Sequence, residues 1–107
     1  FAISEVVPFP GSATQPLVRE FQKLPAAAMP PAGATFTTLE GYMAAKVTVE
    51  ALRRAGPQPT REKLIAALET MGDYDLGGVS VRYNPTSHIG SRFTELTIVG
   101  RDGKLFR

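Results

Sequence analysis

A chain of 107 residues has room for one modest core. Its hydrophobic fraction of 43% and charged fraction of 21% are those of an ordinary globular chain, and a net charge of +2 is too small to create a nucleic-acid-binding field. With no cysteine there is no disulfide scaffold, thiolate nucleophile or sulfur-ligated zinc, and no apolar run approaches the roughly 20 residues of a membrane-spanning helix.

The chain opens on Phe1 rather than Met and shows no signal peptide, as a processed or excised piece would. In "FAISEVVPFP", Ile3, Val6 and Val7 favour a short strand, which Pro8 and Pro10 end by removing backbone donors. An extended segment that stops on Pro-x-Pro-Gly suits a connector between two bodies. In "SATQPLVREFQKL", Pro16 fits the first turn of a helix, and Leu17, Val18, Phe21 and Leu24 recur at helical spacing. "PAAAMPPAGA" then reads as a surface loop.

The best-marked helix lies within "TFTTLEGYMAAKVTVEALRRAG". Thr37 and Glu40 stand in the spacing of a capping box, and Leu39, Tyr42, Met43, Ala45, Val49 and Leu52 give a wide apolar face. Arg53 and Arg54 complement the helix dipole, Gly56 suits a left-handed C-cap, and Pro57 blocks continuation. A second helix follows, with Thr60 as cap, Leu64, Ile65, Ala67, Leu68 and Met71 on one face, and Gly72 as terminator. The basic residues Arg53, Arg54, Arg61 and Lys63 read as solvated helix ends. After Gly72 the period changes to two. "VSVRY" alternates, and "RFTELTIVG" sets Leu96 and Ile98 on one face against Phe93 and Val99. "NPTSHIG" is a turn, and "RDGK" carries a hairpin signal before "LFR".

Little on the chain points to catalysis. His88, the one histidine, adjoins Ser87 in a turn, where neighbours cannot place an imidazole nitrogen on the hydroxyl, and no orienting carboxylate or oxyanion site is marked. One histidine and scattered carboxylates match no metal-ligand spacing. Asp73 and Asp75 read as a turn-forming acidic pair, and "DLGG" is no phosphate cradle, because neither a lysine nor a helix start follows it. Proline in Asn84-Pro85-Thr86 excludes glycosylation there. Glu40 has a complete structural explanation as a capping residue, and Phe36, just before the helix, is the better candidate for a cleft wall. No catalytic residue, metal ligand or cofactor site is assigned.

"EVVPFP" followed by "LVREFQK", "TFTTLEGYMAAKVTVEALRRAG", "PTREKLIAALETM" and "DLGGVSVRYNPTSHIGSRFTELTIVGRDGKLFR" resembles, across essentially the whole chain, the C-terminal part of one family. That family is the branched-chain amino-acid type of periplasmic substrate-binding proteins of ABC transporters, also described as extracellular ligand-binding receptors. The resemblance implies an α/β fold of two lobes joined by three crossover segments, with the ligand in the cleft. Taken alone, this piece reads as α+β: a strand, three helices and a small antiparallel sheet. Residues 1–10 would be the third crossover, with Val7, Pro8 and Phe9 at the hinge. Residues 14–72 would belong to the first lobe, and 76–107 would return toward the second.

The resemblance further implies capture of a small molecule, an amino acid or related carboxylate, by hinge closure. Delivery to ABC permease subunits from a periplasmic location would follow, with no cofactor and no nucleic acid involved. The anchors for the ligand's amino and carboxylate groups would lie upstream. This piece would add Phe36, Thr37 and Thr38 to the pocket wall, Thr37 standing where some members carry an aromatic. Without the parallel sheets of either lobe, apolar helix faces would stay uncovered, and the chain alone is expected to self-associate. The alternative is an independent small α+β interaction module. An enzyme fragment is a third reading, since fold does not settle function.

Overall fold

The computed structural model describes residues 1–12 and 14–106; Ala13 and Arg107 lie outside the described residues. The elements are β1 (Ala2–Glu5), α1 (Pro16–Gln22), α2 (Phe36–Ala55), α3 (Arg61–Thr70), β2 (Tyr74–Asp75), β3 (Ser80–Val81), β4 (Glu95–Val99) and β5 (Leu105–Phe106). They form a helical body and, beside the expected sheet, a second very small one: β1-β4-β5 and β2-β3, both antiparallel. One core joins Val7, Leu17, Val18 and Phe21 to Leu39, Met43 and Val47 of α2 and to Leu76, Val79 and Val81.

α1 begins on Pro16, as expected, and its N-terminus is satisfied from a distant part of the chain. Leu17 N–H donates to Gly77 C=O at 3.0 Å. The Asp75 carboxylate shapes that turn, with Oδ1 accepting from Gly77 and Gly78 N–H at 2.9 Å each. Those two donors, Gly77 before Gly78, hold the Asp75 carboxyl below its ordinary range. "DLGG" is thus a seat for a helix end.

The capping box of α2 is two residues earlier than the spacing rule picks out. Thr35, not Thr37, is the N-cap: its hydroxyl accepts from Thr38 N–H at 3.1 Å, while the Thr38 hydroxyl accepts from Thr35 N–H at 2.8 Å. A threonine here does what the glutamate of the usual box does, so Glu40 has no capping role and is exposed. The buried stripe is Leu39, Met43, Val47 and Ala51, four residues apart, whereas Val49 and Leu52 are open. Gly56 closes α2 at φ 92 and ψ −174, a positive φ but not the left-handed helical conformation. α3 is capped by Thr60 as expected, its hydroxyl accepting from Lys63 N–H at 3.1 Å. Its buried face narrows to Ala67 and the following Met71.

A polar staple ties α1 to α2. Lys46 Nζ donates to Glu20 Oε2 at 2.7 Å and to Leu76 C=O at 3.1 Å, and the Tyr42 hydroxyl hydrogen-bonds the same glutamate. The Lys46 hydrogen bond holds the Glu20 carboxyl below its ordinary value, whereas burial first and the Glu20 carboxylate second push Tyr42 up to about 12. Both shifts link to stability with definite signs. The depressed Glu20 contributes above its unfolded value, a contribution lost as pH falls through the folded one. The raised Tyr42 contributes below about pH 10, and that contribution fades as pH climbs toward 12. A ¹³C-tyrosine titration should show Tyr42 ionising late. Glu20→Gln should bring it part of the way down and no further, because burial is the larger cause; a full return to the ordinary value would show that burial does not act on it.

β1 stops at Glu5 and does not reach Val7, because Val6 and Val7 form a bend that drops Val7 into the helical core. In "VSVRY" only Ser80 and Val81 pair as a strand, though Val79 and Val81 point inward as the alternation predicts. The Asp-Gly hairpin joins β4 to β5 as expected, with Gly100 N–H donating to Lys104 C=O at 2.7 Å. Register places Ala2, Ser4, Leu96, Ile98 and Phe106 on one face of the three-stranded sheet, and that face is open. Leu96 is 66% exposed, and Ile98 and Phe106 are 53% exposed. A sheet apolar on a bare face is a layer awaiting another layer.

The dimensions agree. The accessible surface is 7138 Å², against about 5,800 Å² for a self-contained domain of 11.5 kDa. The radius of gyration is 15.7 Å, against about 13 Å for a compact chain of this length, and the extents are 51 × 34 × 20 Å. This is a slab with unfinished faces.

Candidate functional site: a ligand wall beside a crossover

The three residues expected to face a ligand do not share one environment. Phe36 is the first residue of α2 and half-buried; Thr37 is exposed; Thr38 is half-buried. The Thr38 hydroxyl donates to Gly33 C=O at 2.7 Å while it accepts from Thr35 N–H, so the cap consumes it. Phe36 and Thr37 are the two with surface to offer.

Val7, Pro8 and Phe9, the residues expected at a hinge, sit against this wall. Val7 and Pro8 are buried and Phe9 is half-buried, its ring meeting Phe36 edge-on with centroids 5.9 Å apart and planes at 61°. Two sites proposed separately from the sequence are therefore in contact. Phe9 N–H donates to Glu95 Oε2 at 3.2 Å, which brings the foot of β4 to the same point. Sequence reading missed Glu95: its partner lies 86 positions away, and no local spacing marks it.

A groove of about 390 Å³ opens along the helical body beside the crossover. Val7, Met43, Val47, Leu76 and Val81 line its apolar part, and Glu40 and Arg92 stand among its polar lining residues. The histidine is engaged elsewhere. His88 Nε2 lies 2.8 Å from Glu69 Oε2 on α3, a link that pins the 84–90 turn to a helix and gives no support to a Ser87–His88 pair. Among the described residues no cluster of three His, Asp or Glu is placed to hold a metal, and no helix is long and apolar enough to cross a membrane.

The sequence pattern of the periplasmic binding proteins matches residues 3–104. The chain belongs to that family. Solved structures are similar to it over part of their own length. A substrate-binding periplasmic protein from Ralstonia solanacearum is 42% identical, with a TM-score of 0.83 over 97% of this chain and 30% of its own. An extracellular ligand-binding receptor from Verminephrobacter eiseniae is 33% identical, with a TM-score of 0.78 over 99% of this chain and 30% of its own. A possible leucine/isoleucine/valine-binding protein from Rhodopirellula baltica is 27% identical, with a TM-score of 0.77 over 100% of this chain and 29% of its own. No curated protein matches the sequence. The segment has the type I periplasmic binding protein fold and spans about three-tenths of these relatives.

Proposed function

We propose that the chain is part of the solute-binding component of an ABC importer. It captures an amino acid, branched-chain or other, or a related carboxylate, in a cleft between two lobes, and the closed form docks on the permease outside the cytoplasm. Binding, and no bond-making chemistry, is the task. The observation that carries this reading is the pairing of two connectors. The segment after β1 and the segment before β4 both run between a small sheet and a helical body, and a family match stands behind them. Leu76, Val79 and Val81 pack in the helical core, so the last crossover is proposed at residues 91–94 and not at 76, which makes residues 1–10 the second of the three rather than the third. Phe36 and Thr37 are proposed as ligand contacts, with the groups that hold the ligand's polar ends supplied by the rest of the fold.

Isothermal titration of the full-length protein with leucine, isoleucine, valine, other amino acids and aromatic acids tests this. The expected result is micromolar or tighter binding of at least one, with compaction in solution scattering, and no tight binding by the 107-residue chain alone. Failure of every solute, without compaction, would sink the reading. The interaction-module alternative requires a self-contained chain, which the accessible surface opposes. Alone, the chain is expected to elute from a sizing column as a dimer or larger; a compact, stable monomer would revive the module.

A further inference from the structure

The two connectors meet at one place. β1 ends at Glu5, β4 begins at Glu95, and these glutamates are direct cross-strand partners, the last rung of the ladder. Glu95 nevertheless reaches past that rung to the Phe9 amide at 3.2 Å. Its backbone belongs to the sheet. Phe9 belongs to the helical body, where it is held from several sides. Its carbonyl accepts from Ser12 N–H at 3.0 Å. Gln22 Nε2 of α1 fastens the same turn by donating to Pro10 C=O at 2.7 Å and Ser12 C=O at 3.3 Å. The Phe9 ring rests on Phe36 on one side, and on another it approaches Gly11 so closely that a Cβ there would lie 2.9 Å from a ring carbon. Pro8 is buried, with φ fixed by its ring. Val6, by contrast, is 55% exposed in the bend after β1.

We infer that the Glu95–Phe9 hydrogen bond is a latch across the hinge between the lobes, coupled to bound solute through the Phe9–Phe36 ring contact. Glu95 is a positioning residue for closure, and Val6 is the swivel. The inference rests on the proposed reading of the chain as part of a two-lobed solute-binding protein. The reasoning is geometric. β4 carries the acceptor and the helical body carries the donor, so rotation of one against the other about an axis that does not pass through this contact changes their separation. A contact made in one arrangement and lost in the other biases the ratio of the two, and a solute pressing on Phe36 acts on the residue that holds the donor. The expected bias is about fivefold or more in solute affinity.

Spin labels at Arg61→Cys on α3 and Arg101→Cys on the β4–β5 turn, both exposed, report the angle between sheet and helices in the full-length protein. L-leucine serves as the probe solute. Glu95→Ala is expected to shift the ligand-free distance distribution and change leucine affinity by about fivefold or more, while Glu95→Gln, which keeps an acceptor oxygen, stays within about twofold. In the unmutated protein, leucine should change hydrogen-exchange protection of the Phe9 amide, a readout that needs no variant to fold. Leucine-induced closure with unchanged Phe9 protection and wild-type distances in Glu95→Ala would overturn the latch and leave solute capture standing. If no solute in the panel binds, solute capture fails; the ligand-free distances in Glu95→Ala then decide the latch by themselves.

Discussion

Phe21→Ala is expected to lower the unfolding free energy of the full-length protein by about 3–5 kcal/mol, read as a shift of the urea midpoint at unchanged slope. Phe21 is the largest of the fully buried side chains, and it sits where α1 meets α2. Its ring packs against that of Tyr42 with centroids 5.1 Å apart. Truncation removes that contact and leaves a cavity beside Leu17, Val18 and Leu39, residues whose backbones are held by their own helices and cannot collapse into the gap. The loss should reach the proposed ligand region as well. α1 carries Gln22, which fastens the turn that follows Phe9, so a loosened α1 should weaken solute binding by more than a surface change on α3 of equal cost to stability. A destabilisation below about 1 kcal/mol would mean that other parts of the lobe, and not this contact, seat α1.

How much of this was legible in the sequence differs from residue to residue, for physical reasons. The Thr60 cap, Pro16 in the first turn of α1 and the Asp-Gly hairpin are local devices, whose partners lie within a few positions, and spacing alone finds them. The α2 cap is equally local, yet the spacing rule points to Thr37 instead of Thr35. "TFTTLE" offers two threonines with a hydroxyl or carboxylate three residues on, and only the entry of the backbone into the helix chooses Thr35. The end of β1 is tertiary in origin: Val6 and Val7 have strand propensity, yet Val7 is worth more in the helical core than on the ladder. Leu96 and Ile98 have the alternation of a core-facing strand and are exposed, because none of the described residues packs over that face. In the candidate site, Phe36 and the proline-bounded segment around Phe9 are both visible as sequence features, but their contact is not. Glu95 was invisible for the same reason, since nothing near it in the chain reveals that β4 starts beside Phe9.

Gly77→Ala is expected to cost about 2–4 kcal/mol and to undo the N-terminus of α1. Two effects add at this one position. Gly77 has φ +116, which an L side chain adopts only under strain, and a Cβ there would lie 2.7 Å from Leu17 N and 3.1 Å from Leu17 Cα. Those are backbone atoms, so no rotamer change relieves the overlap; either the turn or the helix must move. Moving them breaks the Leu17 N–H···O=C Gly77 hydrogen bond, and α1 has no side-chain cap at Gln15 to replace it. Gly33→Ala is the matched control. Gly33 has φ +74 but nothing within 4 Å of its Cβ position, so it should lose only the conformational component, about 1 kcal/mol. The difference between the two variants isolates the close approach. Hydrogen exchange then assigns it, because protection of the Leu17 amide should fall in Gly77→Ala and persist in Gly33→Ala. Equal costs for the two glycines, with Leu17 still protected in both, would mean that α1 does not begin on this turn. The helical side of the crossover, and with it the fixed position of Phe9, would then need another anchor.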